Sequence, residues 1–213
     1  MRLDILSDPI CPWCFIGKKR LEDAMRLRPN HPFEIQWHPF QLNPDMPPEG
    51  MDRRAYLETK FGGKRGAISV YSEIEKHALE AGLTLDFGAI ERTPNTLNAH
   101  RLIHWSGFEG KQYDTVDALF QAYFIEGRDI GDAETLADIA DNLEMDAAAI
   151  AKMLGTDTDL AGIMERDAEA RKMGVNSVPT FIVAGQHAVP GAQSADLWVN
   201  VIDEFTGADA PVQ

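Results

Sequence analysis

The chain's only two cysteines, Cys11 and Cys14, stand two residues apart, with Pro12 and Trp13 between them. A thiolate at one of these positions can attack a disulfide, and the second thiol, less than a helical turn away, can displace the product. The same spacing can supply half a zinc site, but tetrahedral zinc needs four ligands and there is no second cysteine pair. A static disulfide closing so short a loop would stabilise little, and this is no small disulfide scaffold. Two inert buried thiols are the remaining alternative. The flanking sequence argues against all three.

An apolar segment, Leu3-Asp4-Ile5-Leu6, runs straight into the motif, and a helix-like segment from Phe15 to Leu27 leaves it. Cys11 therefore falls at or beside a helix N-terminus. Unpaired N–H groups and the helix dipole favour negative charge there, so its thiol is expected to ionise more easily than a free cysteine. Pro12 suits the first turn, where its missing N–H costs nothing. The expected picture is a sulfur at residue 11 exposed at the mouth of its helix, with Cys14 shielded from bulky alkylators.

Arg28-Pro29-Asn30 ends that helix, and Phe33 to His38 alternates like a half-buried strand, giving a parallel βαβ unit with the cysteines at the end of its first strand. Residues 43–50 carry three prolines and a glycine and break regular structure. From 52 to about 155 nearly everything reads as helix, over 52–60, 68–81, 94–106, 111–125, 133–143 and 146–154. Thr93 and Asp132 are the expected N-caps of two of these, and Gly82, Gly107 and Gly127 the C-terminal glycines. Leu83 to Phe87 is the one short strand-like stretch within it. A helix from about Asp157 to Met173 follows. After it come a strand within Val175 to Val183, a turn at Gly185-Gln186, a strand from His187 to Val189, and a helix from Ala195 to Phe205 burying Leu197, Trp198, Val201 and Phe205. The fold class is α/β: a βαβ unit and an αββα unit, residues 1–50 and 156–213, interrupted by an all-helical insertion over 51–155.

A net charge of −14, with no basic run longer than Lys18-Lys19-Arg20, argues against partners with phosphate backbones or anionic membranes. No apolar run has the length of a membrane span. Asp4 lies where a secretion signal would hold its apolar core, so the expected location is the cytosol, with the cysteines resting mostly as a dithiol.

The Cys11-Pro12-Trp13-Cys14 motif, the stretches Thr93-Pro94-Asn95-Thr96-Leu97 with His100-Arg101 and Gly127-Arg128-Asp129-Ile130, and the segment Gly174 to Phe181 together resemble the DsbA-like branch of the thioredoxin superfamily, in particular its FrnE-like members. The resemblance covers nearly the whole chain and implies a thioredoxin-like core. It also implies a cytosolic thiol-disulfide oxidoreductase with Cys11 as nucleophile and Cys14 as resolving thiol. Read alone, Pro179 fits either a cis bond or a trans proline opening a strand; the resemblance implies cis, turning the backbone of Val178 toward the cysteines.

Other residues are candidates around this centre. Trp13 either contacts substrate or packs on the insertion. Trp37, with His38 and Phe40, faces the groove or the core. Asn95 hydrogen-bonds a ligand or caps a turn. Gln193, in Gly191-Ala192-Gln193-Ser194, helps hold a carboxylate such as glutathione's γ-glutamyl end or simply caps the last helix. His100 and His104 share a helix face, but no third metal ligand accompanies them, and no metal or bound cofactor is expected. The partner is a thiol or disulfide, protein or small molecule, with glutathione a candidate co-substrate; the oligomeric state stays open. Two other functions compete. One is a glutathione-dependent isomerase or transferase, like the related 2-hydroxychromene-2-carboxylate isomerases and kappa-class glutathione transferases, whose pattern replaces the first cysteine by serine. The other is a non-catalytic binding module.

Overall fold

Leu3, Ile5 and Leu6 are buried along with every other residue of strand β1 (Arg2–Ser7) except the first. A strand covered on both faces belongs in the middle of a sheet. In the computed structural model, which describes residues 1–207, β1 pairs in parallel with β2 (Glu34–Pro39) and antiparallel with β5 (Thr180–Val183). β5 pairs in turn with β6 (His187–Pro190), for an order β2-β1-β5-β6. Residues 208–213 of the expected core range lie outside the described residues.

Helix α1 (Pro12–Leu27) connects β1 to β2 and packs beside the last helix, α9 (Ala195–Thr206), whose N-cap Ser194 accepts from the Leu197 N–H. α9 buries Trp198 and Ile202, one turn apart, whereas Phe205, expected inside, is 43% exposed. The inward stripe is set by Trp198, which meets Phe33 and Phe181 edge-on.

The insertion begins with a short strand β3 (Met51–Asp52) and helices α2 (Arg53–Lys60) and α3 (Lys64–Glu80). It continues through strand β4 (Arg92–Thr93), α4 (Leu97–Phe108), α5 (Gln112–Phe124), α6 (Ala133–Asn142) and α7 (Ala147–Leu154); α8 (Leu160–Lys172) then leads back to β5. One apolar cluster runs unbroken from the sheet into these helices. Phe15 of α1 stacks on Phe120 and Phe124 of α5 at 5.0 and 6.0 Å. Lys18, fully buried, reaches Glu22 and Asp117 at 2.5 and 2.6 Å. α1 is thus held between the sheet and the insertion.

Three local expectations change. Thr93 is not a helix cap: it precedes a proline, a position that favours extended backbone, and it pairs with Met51 in β4. The helix starts later, at Leu97, whose N–H bonds Asn95 Oδ1 at 2.9 Å. Leu83 to Phe87 is extended and buries Leu83 and Leu85 in alternation, but it lies against α5 through the Asp86 N–H and Phe124 carbonyl without a strand partner. Gly107 lies inside α4, and the glycine just past that helix with positive φ is Gly110. Asp132 does cap α6, accepting from the Thr135 N–H at 2.9 Å.

Candidate active site

β1 delivers Ser7 and Asp8 to the head of α1, where the Cys11 N–H bonds the Asp8 carbonyl and the Cys14 N–H bonds the Cys11 carbonyl. Cys11 is the N-cap, with extended backbone, and the first turn of α1 carries no acidic side chain. Both cysteines are free thiols. Its sulfur lies 3.6 Å from the carbonyl oxygen of Val178, which accepts the S–H, and the Val178–Pro179 peptide is cis. Gly17, about one helical turn beyond Cys14 in α1, lets this approach happen. A Cβ there would lie 3.0 Å from Pro179 Cγ and 3.3 Å from Phe181 Cζ.

Cys11 is not exposed, contrary to the expectation for a sulfur at a helix mouth: the residue is only 3% accessible. The reason is the insertion. α2 and α3 fold over the head of α1 and convert an open surface into a cleft of about 270 Å³, whose lining includes Cys11, Trp13, Val178, Arg53, Tyr71 and Tyr123. Lys60, Asn176 and Ser177, all exposed, stand at its rim and leave it open to solvent. Trp13 packs on the insertion, leaning on His77 of α3 at 5.2 Å, and its ring also lines the cleft.

The cleft wall carries one cation that sequence reasoning passed over. Arg53 is 6% accessible, lies against the rings of Tyr71, Phe87 and Tyr123, and donates from Nη1 to the Tyr123 hydroxyl at 3.0 Å. Its Nη2 has no hydrogen-bond partner among the described residues, and neither does the buried hydroxyl of Thr93 on the same wall. A guanidinium so placed suits a planar anion such as a carboxylate. The position in sequence, at the start of an ordinary amphipathic helix, gives no sign of it.

Behind Cys11 the surroundings differ. Cys14 is 1% accessible, and burial pushes its thiol well above the usual range, with the hydrogen bond and proximity of Cys11 adding to the rise and the Ser7 hydroxyl opposing it. Asp8, fully buried, accepts the Leu42 N–H at 2.7 Å and more weakly the Ile10 N–H. Burial outweighs these donors and lifts its carboxyl to about 7. His100 Nε2 stands 3.8 Å from Asp8 Oδ1, and burial pushes the imidazole down to about 4. In mildly acid solution both are therefore uncharged, and Asp8 is the group that titrates near neutrality.

The remaining candidates lie away from the cleft. Trp37 is buried at 2% accessibility, its backbone bridged by the Gln112 side chain and its ring tilted against Tyr113; α5 covers this edge of the sheet, so the ring faces the core. Asn95 spends its side chain on the Met46 carbonyl and the Leu97 N–H, stapling a turn. Gln193 bonds back to the Pro190 carbonyl at 2.6 Å, and Ser194 is the helix cap. None of the three lines the cleft. His104 turns to Arg166 while His100 turns to Asp8, so the two histidines do not converge.

Residues 2–203 match the family described as the DSBA-like thioredoxin domain. Among solved structures, a probable DsbA oxidoreductase from Streptomyces coelicolor superposes with a TM-score of 0.85 at 26% identity, covering 100% of this chain and 93% of that one. A 2-hydroxychromene-2-carboxylate isomerase gives 0.75 at 17% identity with complete coverage of both chains. The cytosolic disulfide reductase DsbM from Pseudomonas aeruginosa, solved with glutathione, gives 0.67 at 15% identity over 97% of this chain and 100% of that one. The last two likenesses concern the fold alone.

Proposed function

The chain belongs to the DSBA-like thioredoxin domain family, and from that footing we propose that it is a thiol-disulfide oxidoreductase whose dithiol is Cys11 and Cys14. Cys11 attacks one sulfur of a substrate disulfide; that S–S bond breaks, the departing thiolate takes a proton, and the substrate is held on Cys11. Cys14 then loses its proton and attacks the Cys11 sulfur. The mixed disulfide breaks, a Cys11–Cys14 disulfide forms, and two electrons have passed to the substrate. Run backwards, the same steps introduce a disulfide. The observation that carries this reading is the asymmetry of the pair: Cys11 lines an open cleft beside the Val178 carbonyl, while Cys14 is sealed behind it.

The cleft supports a small, acidic thiol or disulfide among the substrates. Its volume of about 270 Å³ and the buried guanidinium of Arg53 suit a carboxylate-bearing molecule such as glutathione, the ligand in the DsbM neighbour. The same two features favour the second reading, a glutathione-dependent isomerase, over a passive binding module. A cytosolic location, and a division into a core of residues 1–50 and 156–213 with an insertion over 51–155, form part of the proposal.

The deciding experiment is Cys14→Ala incubated with oxidised glutathione. The expected result is a stable adduct of one glutathionyl group on Cys11, seen by intact mass, with turnover lost. An isomerase would bind glutathione reversibly and keep its activity in this variant. Full disulfide turnover without Cys14 would overturn the dithiol mechanism.

A further inference from the structure

A cavity of about 620 Å³ opens at the end of β1 opposite the dithiol, where Arg2 starts the strand and α4 and α8 come together beside β2. It shares no lining residue with the Cys11 cleft. Its charge centre is Arg166 of α8, a half-buried guanidinium that bonds two imidazoles. Nη1 meets His104 Nδ1 and Nη2 meets His38 Nδ1, each at 3.2 Å. Arginine only donates, so both rings accept at Nδ1 and carry their proton on Nε2. Burial pushes both imidazoles below their ordinary range, which keeps them neutral. Asp4 is already engaged: it accepts from Arg2 Nε at 2.7 Å and from His38 Nε2 at 2.5 Å. Among the described residues no carboxylate pairs with Arg166. A positive charge half withdrawn from water and matched only to neutral rings lacks its counter-ion.

We propose that this cavity binds a small molecule in which a flat ring carries an oxyanion, either a phosphate or a carboxylate. Arg166 and the free Nε2–H of His104 hold the anion, and Phe108 stacks on the ring. Phe108 is 77% exposed on the cavity wall and meets His104 edge-on at 4.9 Å, so a ring laid on it comes within reach of both donors. The volume falls within the range of about 300–1,000 Å³ usual for enclosed ligands and far exceeds a lone oxyanion, so the ligand has a body as well as a charge. Among the described residues Glu34 is the one acid on the lining, with its side chain 87% exposed. An adjoining cavity of about 280 Å³ also reaches Arg166, but Asp4 and Glu169 line it and would repel an anion. The net charge of −14 elsewhere disfavours a polyanion, which leaves a small ligand. Nothing in this site depends on Cys11 or Cys14.

The test is isothermal titration calorimetry of the full chain with adenosine monophosphate and with benzoate, a phosphate and a carboxylate probe. At least one should bind with a dissociation constant below about 1 mM, and the tighter of the two identifies the anion. Adenosine, a ring without the charge, and inorganic phosphate or acetate, a charge without the ring, should each bind about tenfold more weakly or worse. Arg166→Met should weaken the tighter probe about tenfold, the worth of a charge-assisted hydrogen bond, and Phe108→Ala about fivefold. Phe108 is exposed, so its variant keeps the fold and decides the matter even if Arg166→Met does not fold. No binding by either probe, binding that ignores the substitutions, or an uncharged ring or bare anion binding as tightly as the whole probe overturns the proposal. So does a dimer that Phe108→Ala dissolves in sedimentation, since a second copy of the chain would then occupy this face.

Discussion

The two faces of the dithiol are built from different materials. In front of Cys11 stands a wall borrowed from the insertion: Arg53, Tyr71 and Tyr123, with solvent at the rim. Behind Cys14 are the last residue of β1, the residue after it and one helical histidine, Ser7, Asp8 and His100, all buried and all polar. Less than a turn of helix separates an open cleft lined by a guanidinium and aromatic rings from an enclosed cluster of polar groups. The lesson is that a two-residue spacing does not give two equivalent thiols; the first turn of α1 assigns them opposite sides.

The sharpest way to break this comparison is competitive alkylation of the folded protein with iodoacetamide, followed by peptide mass spectrometry. Cys11 should be modified about a hundredfold faster than Cys14, whose thiol is both enclosed and held protonated, with the difference vanishing in denaturant. Faster labelling of Cys14 would reverse the two faces.

A thermodynamic effect sharpens the rear face. The folded Asp8 carboxyl keeps its proton to about pH 7, while in the unfolded chain it is lost near the ordinary value of 3.8. The fold therefore binds an extra proton between those limits, and the contribution of Asp8 to stability falls as pH rises through that window. Asp8→Asn removes this dependence. Its stability relative to the parent, from urea unfolding, should improve by up to about 4 kcal/mol between about pH 4 and about pH 8. A difference independent of pH would mean that the carboxyl is ionised throughout. His100, pushed down to about 4, acts in the opposite sense and loses stability as pH falls below its ordinary value, but it does so in both proteins and cancels from the difference.

The smallest effect belongs to the front face. Arg53→Met should raise KM for oxidised glutathione about tenfold, the worth of one charge-assisted hydrogen bond, relative to an uncharged dialkyl disulfide measured on the same sample. Equal changes for both substrates would mean that Arg53 only shapes the wall.

How much of this was legible in the sequence follows the same divide. The core was, because its signals are local: an apolar run ending at Cys11, a proline in the first turn of α1, and the Val178-Pro179-Thr180 segment. The insertion's helices were visible from their periodicity, and Asp132 from its capping chemistry. Cys11's burial was not, because the cover comes from α2 and α3, whose packing angle no local pattern encodes. Arg53 was missed, and the side that Trp37 faces stayed open between groove and core, for a related reason. Each lies in an unremarkable amphipathic or alternating stretch, and only the long-range placement of α5 decides that Trp37 turns inward and that the Arg53 guanidinium meets Tyr123. Asn95 and Gln193 were read from residue type; both satisfy nearby backbone groups, which is the commoner use of an amide at a turn.

Gly17 sets a tolerance that reaches Cys11. With only a hydrogen on the Gly17 α-carbon, α1 rests against the Pro179 ring, and the Cys11 sulfur comes to its 3.6 Å from the Val178 carbonyl beside that fit. A methyl group inserted here acts as a shim, prising the helix from the proline loop by a few tenths of an ångström at the point of closest fit. The gap between the Cys11 sulfur and the Val178 carbonyl is thus gauged by the smallest residue in the helix.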